Sequence, residues 1–105
     1  MQLNNKIAII TGSAQGLGRV FARNLLSEGC RVCVSDVNEE AGLNTAKEFT
    51  EEFGKEKVHF IKCDVTKDED LKDLYDGCEE YFKGNVDIFC NNAGINHAQA
   101  SVHGD

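Results

Sequence analysis

The stretch that decides the fold is Lys6-Ile-Ala-Ile-Ile-Thr11-Gly12-Ser-Ala-Gln-Gly16-Leu-Gly18-Arg-Val20, in which an apolar run meets three glycines spaced G-x-x-x-G-x-G. This pattern predicts a buried parallel strand, a tight turn and a helix. Gly12 allows the sharp turn, whereas Gly16 and Gly18 remove side chains where an anion approaches and where helix and strand pack. The free amides and positive dipole end at the helix start favour a bound pyrophosphate.

Composition limits the classes of protein to which the chain can belong. Its 105 residues, 41% of them hydrophobic, are enough for one domain or part of one. The net charge of −7 disfavours nucleic acid and anionic membrane surfaces, which both require a basic face. No apolar run is long enough for a membrane span or resembles a signal region, so we expect a cytoplasmic protein.

The five cysteines are interpreted as buried, reduced thiols. Cys30 and Cys33 form a C-x-x-C pair, but at the start of a strand their side chains point to opposite faces. No second pair of metal-ligand spacing follows. The sequence therefore predicts no metal site.

Periodicity divides the remainder of the chain into alternating helices and strands. A first helix is predicted over residues 17–28, with a buried stripe of Leu17, Val20, Phe21, Leu25 and Leu26 and with Gly29 as its terminator. Strands are predicted over 31–36, 58–63 and 86–90. A second helix is predicted over 39–53, and a third from the capping box Thr66-Lys-Asp-Glu69. The buried residues expected of these two helices are Gly42, Ala46, Phe49, Phe53, Leu71, Leu74, Tyr75, Cys78 and Phe82.

This alternation predicts an α/β fold, a doubly wound parallel sheet whose four strands end at Gly12, Asp36, Asp64 and Asn91. Ligands bind such sheets at the carboxyl ends of the strands. We therefore expect the functional site at that edge. His59, inside a strand, has no nucleophile near it in the sequence and is interpreted as a plain strand residue.

Asp36 closes the second strand 18 residues after Gly18, where a dinucleotide fold places the carboxylate that binds the adenosine ribose hydroxyls. A 2′-phosphate there would be repelled by about 4 kcal/mol at an effective dielectric of about 20. The neighbours Gln15 and Val37 are neutral, so NAD is favoured over NADP. Two alternatives remain, that Asp36 only caps the next helix, a role for which Asn38 is equally suited, and that the glycine turn binds nothing.

Asp64 and Val65 follow the third strand, where the carboxylate can accept a hydrogen bond from an adenine amino group and the valine can flank the ring. No catalytic residue is predicted. The predicted cofactor-binding residues are Gly12, Ser13, Ala14, Gln15, Gly16, Leu17, Gly18, Asp36, Val37, Cys63, Asp64, Val65 and Asn91.

The motifs Thr11-Gly12-x-x-x-Gly16-x-Gly18, Asp36, Asp64-Val65 and Asn91-Asn-Ala-Gly94 together resemble the N-terminal half of a short-chain dehydrogenase/reductase. The resemblance covers about residues 3–96. It implies a Rossmann-type sheet truncated after the fourth strand, with residues 1–96 as the NAD-binding half and 97–105 as a divergent, disordered tail. A full-length member is expected to be a homodimer.

Within that family, three short motifs are most similar to those of an NAD-dependent branch acting on lipids. They are Glu40-Ala-Gly42, Phe60-Ile-x-Cys-Asp-Val65 and Asn91-Asn-Ala-Gly-Ile-Asn96. The resemblance implies an oxidoreductase that oxidises a secondary alcohol of a small lipid to a ketone, with hydride passing to NAD. The chain departs from the family pattern in having no Tyr-x-x-x-Lys, since Tyr75 precedes Glu79 and Tyr81 precedes Asn85. Both tyrosines are interpreted as packing residues.

Two other functions are compatible with these patterns. The chain could be a non-catalytic, dinucleotide-binding truncated product that associates with full-length subunits. A methyltransferase sheet also places an acidic residue after its second strand, but Thr11 and the Asn-Asn-Ala-Gly segment disfavour it.

We expect the 105-residue chain to be catalytically inactive by itself. The family's chemistry uses a Ser and a Tyr-x-x-x-Lys, with the Tyr accepting the alcohol proton as hydride leaves for the nicotinamide. An NAD⁺-reduction assay on the purified chain, with a prostaglandin or a simple secondary alcohol, checks this expectation. Turnover above the protein-free background would contradict it.

Overall fold

The computed structural model describes residues 3–93, which form seven elements that alternate along the chain. The strands are β1 (Ile7–Thr11), β2 (Arg31–Asp36), β3 (Val58–Lys62) and β4 (Ile88–Asn91), and the helices are α1 (Gly16–Ser27), α2 (Glu39–Phe53) and α3 (Asp68–Phe82). The predicted α/β fold is confirmed. The expected tail over residues 97–105 lies outside the described part.

The four strands form one parallel sheet in the order β3-β2-β1-β4. Strand β1 is central, and every one of its residues is buried. Its continuous apolar run follows from this position, because a parallel strand covered on both faces has no solvent side. The register pairs Thr11 with Ser35 and with Asn91, which brings the carboxyl ends of β1, β2 and β4 together.

Helices cover both faces of the sheet, as a doubly wound topology requires. On one face α1 and α2 bury Ala22 and Phe49 against Ala8, and on the other α3 buries Leu74 against Ile9. Cys30 belongs to the first core cluster and Cys33 to the second, as the strand periodicity predicts. All five cysteines are free thiols. Between residues 3 and 93, no helix is long and apolar enough to cross a membrane.

The predicted buried stripe of α1 is confirmed at Leu26 and wrong at Leu17, Val20 and Phe21. Gly18, Ala22 and Leu26 face the sheet, whereas Leu17, Val20 and Phe21 are 58%, 52% and 40% exposed; Leu25 is partly buried beside the core. A Cβ on Gly18 would lie 2.2 Å from the carbonyl oxygen of Gly12. This close approach turns the small residues of α1 inward, a preference that apolar periodicity alone does not show.

The predicted capping box of α3 is also wrong. The helix begins at Asp68, and its N-cap Lys67 makes no side-chain capping bond. The Thr66 hydroxyl instead donates to Oδ1 of Asp64 at 2.7 Å. The predicted buried face of α3 is confirmed at Leu74, Cys78 and Phe82 and is wrong at Tyr75, which is exposed.

His59 on β3 stacks face to face on Tyr81 of α3, with ring centroids 3.8 Å apart. Partial burial lowers the pKa of His59, because the protonated ring loses solvation. No nucleophilic side chain among residues 3–93 is hydrogen-bonded to it. Its interpretation as a plain strand residue agrees with this placement.

Two of the helical glycines, Gly18 and Gly77, should respond oppositely to alanine. At Gly18 the new Cβ would overlap the rigid backbone of Gly12, so Gly18→Ala should lower the free energy of unfolding by about 3 kcal/mol. At Gly77 it meets only the mobile Cδ1 of Ile61, at 2.9 Å, so the change should be neutral or stabilising by up to about 1 kcal/mol. Urea unfolding measures both. Equal losses would show that the close approach of α1 to β1 does not control stability.

The lowered pKa of His59 predicts a stability that falls on mild acidification. Below about pH 6.5 the unfolded chain binds a proton at this residue more readily than the folded chain does. The contribution of His59 to the free energy of unfolding should therefore be constant above about pH 7 and fall towards pH 5.5. The variant His59→Phe keeps a stacking ring but does not titrate, and should show a smaller fall. Identical pH profiles for the two proteins would contradict the prediction.

Candidate functional site

A cleft runs along the carboxyl ends of the strands and has two adjoining lobes. One lobe, of about 390 Å³, is lined by the turn after β1 and by the end of β4, and includes Gln15, Gly16 and Leu17. The other, of about 170 Å³, is lined by the end of β3 at Cys63, Asp64 and Val65. Both lobes share the residues Gly12, Asp36, Val37 and Ala93. The edge of the sheet at which the functional site is predicted therefore forms a concave surface.

The turn between β1 and α1 has the backbone that its glycines predict. Gly12 and Gly16 both have φ of +64°, a conformation that favours residues without a side chain. A Cβ built on Gly16 would meet nothing within 4 Å, so the space beside the helix start is open to a ligand. Gly18 instead serves the packing of helix on strand. The predicted roles of Gly12 in the turn and of Gly18 in the packing are confirmed, whereas the approach of an anion at Gly16 stays a prediction.

The N-terminus of α1 differs from those of the other two helices. Among the described residues, no side chain accepts a hydrogen bond from its first turn, and that turn contains no acidic residue. In α2, Asn38 accepts from the amide of Ala41 at 3.0 Å and two glutamates follow; α3 has three acidic residues in its first turn. The positive end of α1 is thus left for an external anion.

Asp36 connects β2 to the turn. Its Oδ2 accepts a hydrogen bond from the amide of Ala14 at 3.1 Å, and its Oδ1 accepts from the amide of Asn38 at 3.0 Å. The side-chain cap of α2 is Asn38, so the alternative that Asp36 serves as that cap is not what the structure shows. The carboxylate lines both lobes of the cleft, with lone pairs remaining for further donors.

Ser13 and Ala14, two of the predicted contact residues, are buried beneath the turn. The amide of Ser13 donates to the carbonyl of Ser35 at 3.0 Å, and its hydroxyl accepts from the amide of Ser35 at the same distance. The Thr45 hydroxyl donates to the Ala14 carbonyl at 2.5 Å. Thr45 is not among the residues predicted from the sequence, where the available signal was a hydroxyl between Gly42 and Phe49 on the buried face of α2.

The end of β3 brings Cys63, Asp64 and Val65 to the smaller lobe, as predicted. Burial, together with the Asp70 carboxylate, raises the pKa of Cys63 to about 11, so its thiol stays protonated. Hydrogen bonds from the hydroxyl and amide of Thr66 lower the pKa of Asp64, which keeps this exposed carboxylate ionised. Asp64 can therefore act only as an acceptor at neutral pH.

The end of β4 is bonded into the same turn. Thr11 donates its hydroxyl to Oδ1 of Asn91 at 2.8 Å and accepts from the amide of Ala93 at 3.2 Å. Asn92 donates from Nδ2 to the carbonyl of Gly12 at 3.1 Å. The side chain of Asn91, a predicted cofactor contact, is thus engaged with β1. These bonds fix the glycine turn against β4.

A larger cavity of about 630 Å³ lies at the opposite, amino end of the strands. Two of the cations that line this cavity bind main-chain carbonyls. Arg31 donates to the carbonyl of Phe82 at 3.0 Å and Lys57 donates to the carbonyl of Gly29 at 3.0 Å, so both cations neutralise carbonyls where α3 and α1 end. Between residues 3 and 93, no group of three His, Cys, Asp or Glu side chains is placed to hold a metal ion.

The sequence model of the family described as short chain dehydrogenase matches residues 6–104. The 15-hydroxyprostaglandin dehydrogenases [NAD(+)] of Bos taurus and Homo sapiens are 43% and 42% identical to the chain over 97 residues, which is 92% of this chain and 36% of each relative. These relatives belong to the NAD-dependent branch that the sequence wording indicated. The chain thus spans little more than a third of the length of these curated relatives.

Solved structures show the same relation. A short chain dehydrogenase/reductase from Burkholderia phymatum, in complex with NAD, superimposes with a TM-score of 0.79 at 28% identity, covering 85% of this chain and 31% of that one. A hydroxysteroid dehydrogenase from Escherichia coli gives a TM-score of 0.77 at 32% identity, covering 83% and 35%. With its glycine turn, its sheet and its sequence all matched, the chain belongs to the short-chain dehydrogenase family.

Proposed function

We propose that residues 1–96 form the cofactor-binding half of an NAD-dependent short-chain dehydrogenase. The observation that carries the proposal is the uncapped N-terminus of α1, which opens on a cleft shared with the Asp36 carboxylate. A positive helix end and an anionic acceptor in one cleft match the two parts of a dinucleotide, its pyrophosphate and its ribose hydroxyls. The group fits because Gly16 leaves open space at the helix start.

Each part of the cleft has a proposed role in holding the cofactor. The amides of residues 15–18 would bind the pyrophosphate, and Asp36 would accept from the ribose hydroxyls. Val37 and Val65 would flank the adenine, while Asp64 would accept from its amino group. When bound, the cofactor would supply the hydride acceptor for oxidation of the alcohol. Beneath the turn, Ser13 and Ala14 would support the loop from below through their bonds to Ser35 and Asp36.

We infer NAD rather than NADP because Asp36 is the one charged side chain among the described residues that line the larger lobe. A 2′-phosphate beside this carboxylate would be repelled, whereas free ribose hydroxyls would donate to it. The relatives' printed name includes NAD(+), and the Burkholderia phymatum structure holds NAD, which supports the same choice.

For the reaction, we propose oxidation of a secondary alcohol to a ketone, with a 15-hydroxyprostaglandin-like lipid as substrate. The support for this substrate is the name of the related dehydrogenases and the short sequence motifs shared with that branch, not a substrate contact in the described residues. The 105 residues contain no Tyr-x-x-x-Lys. A second candidate is a non-catalytic unit that associates with full-length subunits, and the exposed Leu17, Val20 and Phe21 on α1 favour it.

Substituting the two carboxylates of the cleft one at a time should show which of them determines the choice between NAD⁺ and NADP⁺ and which affects only the affinity for both. Asp36→Asn removes the charge beside the proposed ribose site, and should weaken NAD⁺ binding about tenfold while narrowing the preference for NAD⁺ over NADP⁺. Asp64→Asn, the matched control, should weaken both cofactors to the same extent, because the adenine is common to them. Titration calorimetry of the three proteins with NAD⁺ and NADP⁺ measures both effects.

An unchanged preference in Asp36→Asn would contradict the role given to this carboxylate. The same titration with S-adenosylmethionine tests the methyltransferase alternative, which would require that ligand to bind and NAD⁺ to fail. Mixing the chain with a full-length 15-hydroxyprostaglandin dehydrogenase, followed by size-exclusion chromatography and an activity assay, tests the subunit-associating alternative. Separate elution and unchanged activity would count against that candidate.

A further inference from the structure

We propose that Thr45, on the buried face of α2, positions the phosphate-binding turn by holding the carbonyl of Ala14. The inference rests on the proposed function, since it assigns a positioning residue to the proposed cofactor site. Thr45 is 4% exposed, and its hydroxyl donates to the Ala14 carbonyl oxygen at 2.5 Å. The contact joins two elements that lie 31 residues apart in the chain.

Ala14 is held at both of its main-chain polar groups. Its amide donates to Oδ2 of Asp36 at 3.1 Å, while its carbonyl accepts from Thr45. The first bond connects the turn to the end of β2 and the second to α2. A residue anchored in opposite directions by two separate elements has little rotational freedom. The hydrogen bond from Thr45 therefore fixes the orientation of the peptide group that follows Ala14.

That peptide joins Ala14 to Gln15, and its geometry conveys the effect to the cleft. In a planar trans peptide the carbonyl and the amide N–H point in opposite directions. Since Thr45 holds the Ala14 carbonyl on the buried side, the Gln15 N–H is directed away from α2. Gln15 lines the larger lobe, whereas Thr45 does not. The bond thus keeps a main-chain donor aimed at the proposed pyrophosphate position.

Burial alone does not require a hydroxyl at this position. A threonine inside a helix commonly returns its hydroxyl bond to a carbonyl of its own helix. Here the hydroxyl reaches across to the turn instead. Valine has nearly the same shape and would fill the same space between the helix and the turn. The hydroxyl is therefore the part of Thr45 that acts on the site.

The test compares ligands with and without a pyrophosphate. Thr45→Val should weaken the binding of ADP and of NAD⁺ about five- to tenfold and leave adenosine unchanged, because one mispositioned donor corresponds to one hydrogen bond. Thr45→Ser retains the hydroxyl and should restore the wild-type ADP affinity. Titration calorimetry gives the affinities. Melting temperatures, measured for each variant, show whether a lost affinity reflects lost folding.

Equal weakening of ADP and adenosine, or no weakening of either, would overturn the positioning role of Thr45. Failure of the wild-type chain to bind ADP, NAD⁺ or adenosine would overturn the proposed function itself, and this inference with it. A further measurement needs no variant. A hydroxyl held by a buried carbonyl should give a slowly exchanging Thr45 proton in NMR spectra of the wild-type chain, and rapid exchange would contradict the contact.

Discussion

The arrangement of the site depends on how closely α1 approaches β1. Contact between Gly18 and the carbonyl of Gly12 sets the helix directly behind the turn, so that its first amides open on the cleft. An added side chain at this point would push the helix away from the strand. The main-chain donors would then lose their common direction. A packing constraint thus leaves the start of α1 open to the cleft, and no basic side chain among residues 3–93 lines the lobe in front of it.

The turn is held by hydrogen bonds from the ends of two strands and from helix α2. Asn92 bonds to Gly12 from β4, while Ser35 and Asp36 bond to Ser13 and Ala14 from β2. Thr45 adds a bond from α2. Most of these contacts join residues far apart in sequence, so they form only when the sheet is complete. A loop fixed in this way presents its donors with little reorganisation on binding, which favours affinity.

Charge is distributed along the sheet according to the helix dipoles. At the amino ends of the strands, Arg31 and Lys57 bond to carbonyls where helices end. At the carboxyl ends, α2 and α3 begin with acidic residues, and α1 alone among the described helices begins without one. The chain carries a net charge of −7. In this acidic protein, the exposed start of α1 is therefore a local exception that an anion can use.

The sequence by itself determined the fold class, the order of the elements and the edge of the sheet that carries the cleft. Those features follow from local signals, namely the apolar run of β1, the glycines, the Asn38 cap and the polar residues at the strand ends. Tertiary structure decided which face of α1 is buried, because Gly18 and Ala22 are chosen by close contact and not by hydrophobicity. It also decided that Thr66 bonds to Asp64 instead of capping α3. The Thr45 contact with Ala14 likewise joins segments that are distant in the sequence. Periodicity and motif spacing describe neighbours along the chain, so they do not predict this contact.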